Sequence, residues 1–291
     1  MKHRSTGSSV STSVVRRTSQ GTERTRDLLA AEEPLEVRLR EETGETERFV
    51  VTMRTPGNDE DLAVGLLFGE GMIASGDEVV SVARPSDPRI DPDLARNVIV
   101  VTLSPDLARA GRTPRRATVM GSACGVCGRT SIDDVVALAA RCRSARTGPA
   151  LPSSGALRIP ASLLVRLPRL LRSHQHGFEA TGALHAAGLF EADGTLVVVR
   201  EDVGRHNATD KAIGAILRTG RAAPPLLVVS GRIGFEIAQK AALAGIAVVA
   251  AVSAPTSLAV EMADEAGLTL VGFLRGEGFN VYTHPGRIAE A

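Results

Sequence analysis

Two cysteines lie three positions apart in a glycine-rich segment, at Cys124 and Cys127. The segment reads Ala-Cys-Gly-Val-Cys-Gly-Arg over 123–129 and comes just before the start of an expected helix. Thiols at this spacing can both reach one incoming group, and the amide groups of a helix N-terminus together with Arg129 favour the thiolate, the nucleophilic form of cysteine. Because glycines leave the backbone sterically open, the segment suits a cysteine that moves between a donor and an acceptor. The spacing therefore indicates thiol chemistry.

The residues alone leave four interpretations of this cysteine pair open. A structural zinc site needs four ligands, and without a second CxxC it would need Cys142 and one histidine to complete it. The candidate histidines are His174, His176, His185 and His206. A thioredoxin-like redox pair normally follows an early strand of a compact βαβ unit, whereas this pair follows a long Pro- and Arg-rich connection. The other two interpretations are that the cysteines are merely buried without a chemical role, and that they relay sulfur through a persulfide.

Composition and charge exclude several classes of protein. The chain has 291 residues, with 34 Lys and Arg against 33 Asp and Glu, and this near-neutral charge argues against a nucleic-acid binder. An aromatic content of 3% with no Trp offers no base-stacking platform, and three cysteines are too few for a secreted disulfide scaffold. The longest apolar stretch, 246–252, is far shorter than the ~20 residues that span a bilayer. The composition predicts a cytoplasmic protein that binds neither nucleic acid nor membrane.

The first part of the chain is predicted to contain a tail and a small α+β unit. Residues 1–30 are rich in Ser, Thr and Arg and have little to bury, which indicates a disordered tail. From 31 to 146, the hydrophobic pattern predicts a β-hairpin around Gly44, a helix after Asn58, a strand over 97–103 and a helix after the cysteine pair. A stretch rich in Pro, Gly and Ser over 147–155 then reads as a linker.

The second part, 156–291, alternates between strands and helices. The strand-like runs are 195–200, 226–229, 247–252 and 269–273, and the helical patterns are 208–217, 236–244 and 258–266. This alternation predicts βαβ units around a mostly parallel sheet that is covered on both faces. Polar loops leave the four strands at 201–207, 230–232, 253–257 and 274–278. Since open α/β sheets bind ligands at the carboxyl ends of their strands, we expect a ligand site at that edge.

Motifs in a fixed order along the chain lead to a family resemblance. They lie at 123–129, 181–187, 200–207, 230–232 and 280–284. As an ordered set they resemble the formate dehydrogenase accessory sulfurtransferases, the FdhD family, from about Pro34 to the C-terminus. The chain departs from the family pattern at Arg129, where many members have Lys, and at Ala123, where Ser is common. The first change keeps a cation with a different geometry, and neither change alters the thiols.

The resemblance implies a sulfurtransferase. Such a protein accepts sulfur from a cysteine desulfurase as a persulfide on Cys124, with Cys127 as the partner thiol. It passes the sulfur to the molybdenum or tungsten bis(molybdopterin guanine dinucleotide) cofactor, which formate dehydrogenase requires. The resemblance also implies that this cofactor, bound as cargo, contacts Phe273, Leu274, Arg275, Gly276, Glu277 and Gly278. No permanent metal is expected.

The same resemblance sets the expected architecture. It implies an α/β fold in which a three-layer α/β/α C-terminal part, like that of cytidine deaminases, joins a smaller N-terminal α+β part. Because one cofactor carries two identical guanine dinucleotides, two sites related by a two-fold axis would suit it, and we expect a homodimer.

Two rival functions and two further loops complete the expectations. A chaperone that carries the cofactor without sulfur chemistry is the alternative function. A zinc-dependent deaminase is excluded, because its His-x-Glu motif precedes Pro-Cys-x-x-Cys, whereas His185 lacks the Glu and follows the cysteines.

The loop 202–206 could hold a guanine, a ribose or a phosphate, or could only start a helix. The turn 230–232 could contact a phosphate, and a plain tight turn explains it about as well.

Overall fold

The computed structural model describes residues 7–40, 44, 46–85, 91–109, 132–145 and 157–289. Their strands form four sheets, of two, six, two and four strands. Cys124 and Cys127 lie outside the described residues, and so does the predicted linker at 147–155. The division of the chain into the parts 31–146 and 156–291 therefore stays a prediction.

The N-terminal residues form a β-hairpin of two long strands. These strands are β1 (Ser9–Thr18) and β2 (Gly21–Ala30), which pair antiparallel. The disordered tail predicted for 1–30 is therefore wrong over these residues. The prediction relied on the scarcity of buried side chains, but a ladder of backbone hydrogen bonds needs no apolar core beneath it, and Val and Thr favour strands. Cross-strand pairs such as Arg16 and Glu23, 3.5 Å apart, add to the pairing.

A four-stranded sheet and its helices make up the next part of the chain. The elements are β3 (Glu33–Arg40), β4 (Thr46–Arg54), α1 (Asp59–Gly69), β5 (Val79–Ala83), α2 (Pro92–Ala95), β6 (Val98–Leu103), α3 (Pro105–Arg109) and α4 (Ile132–Ala145). The strand order is β4-β3-β6-β5, with β3 parallel to β6 and the other pairs antiparallel. The predicted hairpin, the helix after Asn58, the strand near 97–103 and the helix after the cysteine pair are confirmed.

The rest of the chain builds a six-stranded sheet. The elements are β7 (Ile159–Pro160), α5 (Ala161–Leu164), α6 (Leu167–Arg172), α7 (His176–Thr181), β8 (His185–Phe190), β9 (Leu196–Asp202), α8 (Arg205–Leu217), β10 (Leu226–Val229), α9 (Phe235–Ala244), β11 (Val248–Ala251), α10 (Ser257–Glu265), β12 (Thr269–Arg275), β13 (Gly278–Thr283) and β14 (Ile288–Ala289). The order is β13-β12-β11-β10-β8-β9. Strands β9 to β12 run in one direction, whereas β8 and β13 run against them.

Apolar side chains cover both faces of this sheet. Leu227 and Val229 point into one cluster, which α1, α4, α8, α9 and α10 share, whereas Leu226 and Val228 point into a second cluster under α5 and α6. The sheet thus lies between two layers of helices, and the predicted α/β fold class is confirmed. The closer likeness to cytidine deaminases stays a prediction.

Helices α1 and α8 join the two halves of the chain. A Cβ atom added at Gly65 would lie 2.0 Å from the carbonyl oxygen of Asp210, and one added at Gly214 would lie 1.9 Å from that of Asp61. The two helices therefore touch backbone to backbone, which only glycine permits. No helix among the described residues combines the length and the apolar character that crossing a bilayer requires.

Candidate functional site

The loops that follow the parallel strands meet at one edge of the six-stranded sheet, as the sequence predicts. The backbone N–H of Ile233, after β10, donates to the carbonyl of Ala254, after β11, at 3.3 Å. The N–H of Phe273, near the end of β12, donates to the carbonyl of Ser253 at 3.0 Å. These bonds join the loops after β10 and β11 to the end of β12 at the carboxyl edge.

Asp202, at the end of β9, fixes the next loop along this edge. Its carboxylate lies 2.7 Å from the Lys211 ammonium and accepts a hydrogen bond from the N–H of Thr55 at 3.1 Å. The other carboxylate oxygen accepts from the N–H of Gly204 at 2.9 Å and from the side chain of Asn207 at 3.1 Å. Asp202 is fully buried. It therefore organises the loop and has no surface with which to bind a ligand.

Arg205 is the first residue of α8 and lies at the same edge. Its Nε atom is buried and has no hydrogen-bond partner among the described residues. His185, from the start of β8, is close by, because a Cβ added at Gly231 would lie 3.2 Å from the His185 Nδ1 atom and 3.8 Å from the Arg205 Cβ atom. The loop after β10 thus packs the Gly231 backbone closely against a histidine and an arginine from two other elements.

His206 and Glu236 connect the first turns of α8 and α9. The His206 Nδ1 atom lies 3.3 Å from a Glu236 carboxylate oxygen. Burial lowers the pKa of His206 to about 4. The negative charge of Glu236 acts in the opposite direction, and the positive charge of Arg205 lowers the pKa further. Burial and Arg205 also lower the pKa of His185, although Asp202 opposes them. Both imidazoles are therefore neutral near pH 7.

The turn after β10 has divided roles. The hydroxyl of Ser230 accepts a hydrogen bond from the backbone N–H of Ala186 at 2.9 Å and so ties this turn to β8. Gly231 lets the backbone approach the His185 ring closely, and the side chain of Arg232 is exposed. Ser230 is thus a positioning residue, while the rest of the turn faces the edge.

The predicted cofactor-binding stretch, 273–278, differs in shape from the prediction. The sequence predicts a loop from Leu274 onward, but β12 continues to Arg275, and Gly276 with Glu277 turns the chain into β13. That part of the prediction is wrong. Gly276, at φ 61°, allows a tight hairpin turn, so the strands on both sides continue up to the turn and a longer loop does not form. Leu274 is fully buried in the cluster under α5 and α6.

The other residues of this stretch face outward. Phe273 is half-buried, and Arg275, Gly276, Glu277 and Gly278 are exposed. The guanidinium carbon of Arg275 lies 5.4 Å from the centre of the Phe273 ring. The stretch therefore offers an arginine stacked on an aromatic ring and an open turn, at the same edge as the other loops.

A cavity of about 790 Å³ opens beside this edge, between the start of α1, β9 and α7. Several cations line it, but carboxylates hold them. Arg54 and Arg84 both bind Asp59, at 2.9 and 2.7 Å, and Arg200 binds Asp61 at 2.9 Å. The ion pairs offset much of the positive charge that these side chains could otherwise present to a ligand.

The third cysteine lies in the protein core. Cys142, on α4, is fully buried in the cluster that also contains Val135 and Ala139. Its burial among apolar side chains does not fit the zinc interpretation, which needs Cys142 beside a histidine. Within the described ranges, no group of three or more His, Cys, Asp or Glu residues is placed to hold a metal ion.

Sequence reasoning missed two contacts that shape this edge. The Asp202–Lys211 pair joins a strand to a helix, and the His206–Glu236 pair joins two helix starts. Hydrophobic periodicity carries no information about such pairs. The sequence does give one indication of these pairs. Polar residues that directly follow neighbouring parallel strands lie at the same edge of the sheet and therefore near each other.

Comparisons with known proteins agree with the fold. The FdhD/NarQ family model matches residues 30–289. The "Sulfur carrier protein FdhD" of Nocardia farcinica is 47% identical over 277 residues, which cover 94% of this chain and 93% of that protein. The protein of the same name from Sulfurisphaera tokodaii is 42% identical and covers 90% and 92%. A crystal structure of a putative formate dehydrogenase accessory protein from Desulfotalea psychrophila covers 97% and 99%, with a TM-score of 0.70 and 23% identity, and so shows the same fold.

Proposed function

Because the chain belongs to the FdhD/NarQ family, we propose that it carries sulfur as a persulfide on Cys124. The sulfur comes from a cysteine desulfurase and goes to the molybdenum or tungsten bis(molybdopterin guanine dinucleotide) cofactor of formate dehydrogenase. The observation that carries this proposal is the similarity to a protein named a sulfur carrier, at 47% identity over nearly the whole of both chains.

The chemistry of the first step follows from the cysteine pair. The Cys124 thiolate attacks the terminal sulfur of the desulfurase persulfide and forms a new S–S bond. The old S–S bond breaks, and the desulfurase cysteine leaves as a thiolate, so no external oxidant or reductant is needed. Cys127, three positions away in the sequence, is the partner thiol of this exchange.

The carboxyl edge is the proposed binding site for the cofactor. Arg275 is exposed there and carries a fixed charge suited to a diphosphate, and the open backbone at Gly276 and Gly278 allows a bulky nucleotide to approach. The buried side chain of Leu274 supports the turn from within the core. Of the predicted stretch, the exposed residues are thus the ones proposed to contact the cofactor.

The proposed assembly follows from the symmetry of the cargo. One cofactor with two guanine dinucleotides is matched by two equal sites, so a homodimer is proposed, with one dinucleotide on each protomer. The transfer from the desulfurase and the delivery to formate dehydrogenase are proposed to take place in the cytoplasm. The near-neutral charge, with 34 basic and 33 acidic residues, supports small-molecule cargo over nucleic acid.

Formate dehydrogenase activity tests this proposal in cells that lack their own copy of the gene. Cys124→Ala should abolish activity, and Cys127→Ala should lower it. Cys142→Ala is the matched control, since that thiol lies in the core, and it should retain activity. Full activity in cells that carry only the Cys124→Ala protein would contradict sulfur transfer through this residue.

A further inference from the structure

We propose that the N-terminal hairpin of β1 and β2 is an arm that docks on a second copy of this chain. The docking surface is the face of the hairpin that carries Val15, Arg17, Arg24, Arg26 and Leu28, which we call the outer face. The inference rests on the homodimer of the proposed function and names the segment that holds the two protomers together.

The arm lacks support along most of its length. Its strands have ten residues each and extend about 34 Å at about 3.4 Å per residue. Among the described elements, α7 packs most closely against the arm, through β2, and the six residues of α7 span only about 9 Å. A two-stranded hairpin alone is at best marginally stable in water, so a fully paired ladder of this length indicates a further surface that stabilises it.

The outer face combines apolar and basic side chains. Val15 and Arg24 lie directly opposite each other in the ladder. Because side chains alternate between the two faces of a strand, Arg17, Arg26 and Leu28 project on the same side. Val15 is 56% exposed and Leu28 is 41% exposed. Exposed apolar side chains beside arginines are typical of protein–protein interfaces, in which arginine is enriched.

The arginines of the outer face carry charge that no neighbouring carboxylate offsets. On the opposite face of the arm, Arg16 lies 3.5 Å from a Glu23 carboxylate oxygen. Arg17, Arg24 and Arg26 are exposed, and none of them forms an ion pair with another described residue. The outer face therefore fits a negatively charged surface.

A second copy of the chain offers that charge. Residues 1–30 hold six Lys and Arg against two Asp and Glu, which leaves 28 against 31 in residues 31–291. A basic arm on an acidic body is self-complementary, so two copies can exchange their arms about a two-fold axis. The size also fits, because β1, β2 and their turn comprise 22 residues and a stable interface uses about 20–30 residues from each partner.

Analytical ultracentrifugation of the full chain tests the docking. The arm variant combines Arg24→Glu with Arg26→Glu, and the control combines Arg166→Glu with Arg169→Glu, two exposed arginines at the start of α6. The arm variant should raise the dissociation constant of the dimer at least about tenfold, because like charges then meet across the contact, and the control should leave it unchanged. A dissociation constant that the arm variant does not change would overturn the proposal, as would a wild-type protein that stays monomeric.

Photocrosslinking identifies the chain that the arm touches. A p-benzoylphenylalanine in place of Val15 should give a covalent dimer under ultraviolet light. The same group in place of Val80, which is 64% exposed on the edge strand β5, should give none. Crosslinks found only within one chain would overturn the docking. A monomeric protein whose arm crosslinks to an added cysteine desulfurase would also overturn it, since the arm would then serve the sulfur donor.

Failure of the arm can be told apart from failure of the proposed function. Sulfur loading of Cys124 is measured on the same proteins and should be the same in the arm variant and the wild type. Normal loading with an unchanged dimer in the arm variant rejects the docking alone. Absent loading with an arm-dependent dimer rejects sulfur carriage and supports the docking.

Discussion

Asp202 and Arg205 lie three residues apart at the carboxyl edge, but only Asp202 has an ion-pair partner among the described residues. Asp202 is fully buried, and its carboxylate binds Lys211 and three hydrogen-bond donors. The buried Nε atom of Arg205 has no partner within the described part of the chain. The contrast indicates that the paired charge of Asp202 positions the loop, whereas the half-buried Arg205 has no ion-pair partner within the described residues.

A second buried ion pair, Lys240 with Asp210, lies where helices α1, α8 and α9 pack together. Lys240, on α9, binds Asp210, on α8, at 2.6 Å, and a Cβ added at Gly69, on α1, would lie 2.8 Å from the Lys240 Nζ atom. Burial raises the pKa of Asp210 to about 6. Burial also disfavours the charged form of Lys240, but the charge of Asp210 outweighs this and raises its pKa. The pair is therefore ionised near pH 7 and belongs to the scaffold beneath the edge.

The largest expected effect comes from breaking the paired side. Lys211→Met should lower the free energy of unfolding by about 3–5 kcal/mol, because it leaves the Asp202 carboxylate buried without its cation. Arg205→Met, the matched change on the unpaired side, should cost less than about 1 kcal/mol. Denaturant unfolding measures both, and equal losses would remove the contrast between the two residues.

A smaller loss should follow from separating α1 and α8. Gly214→Ala places a Cβ 1.9 Å from the Asp61 carbonyl, and such overpacking should lower the free energy of unfolding by about 1–3 kcal/mol. Gly278→Ala is the control, since nothing lies within 4 Å of a Cβ there, and it should stay within about 0.5 kcal/mol. If the two variants melted alike, the close backbone contact would not support the scaffold.

The second arginine of the edge gives a binding effect. Arg275→Glu reverses an exposed charge at the β12–β13 turn and should weaken guanosine diphosphate binding about tenfold, equivalent to about 1.4 kcal/mol. Arg169→Glu makes the same change on α6 and should leave the affinity unchanged. Equal calorimetric affinities for these two variants would place the nucleotide away from this turn.

A pH dependence is the last effect expected at the ligand edge. In the folded protein the pKa of His206 is about 4, against about 6.5 in the unfolded chain. Between these values the unfolded chain binds more protons, so the free energy of unfolding should fall as the pH drops from 6.5 towards 4. His206→Gln should reduce this fall, and His174→Gln, an exposed control, should not. Parallel pH profiles for the wild type and His206→Gln would show that His206 does not cause the effect.

The parallel strands of the six-stranded sheet and the ligand edge could be predicted from the sequence, because buried parallel strands are continuous apolar runs and their carboxyl ends share an edge. The predicted runs 226–229 and 269–273 are examples, and both lie in observed strands. Strand β8 escaped prediction because it begins His-Ala-Ala-Gly, and Ala and Gly are depleted in strands. Strand β8 runs antiparallel to both neighbouring strands. A glycine is needed at position 188, because an added Cβ would lie 2.8 Å from the Phe190 ring.

The assignment of individual side chains at the edge was less predictable. Leu274 lies in a glycine-rich stretch and reads as part of a loop, yet it is fully buried because the strand continues past it. Asp202 and Arg205 look alike as polar loop residues, and only the position of Lys211 on the following helix distinguishes them. The partner of a buried charge depends on tertiary packing, which local patterns do not encode.

Sulfur loading of Cys124 tests the central claim most directly. The protein is incubated with a cysteine desulfurase and cysteine, alkylated and digested, and its peptides are weighed by mass spectrometry. The proposed function predicts one added sulfur atom on the peptide that contains Cys124, lost on reduction and absent from Cys124→Ala, with none on the Cys142 peptide. A wild-type protein that binds guanosine diphosphate but shows no added sulfur on Cys124 would contradict sulfur carriage and indicate a cofactor chaperone instead.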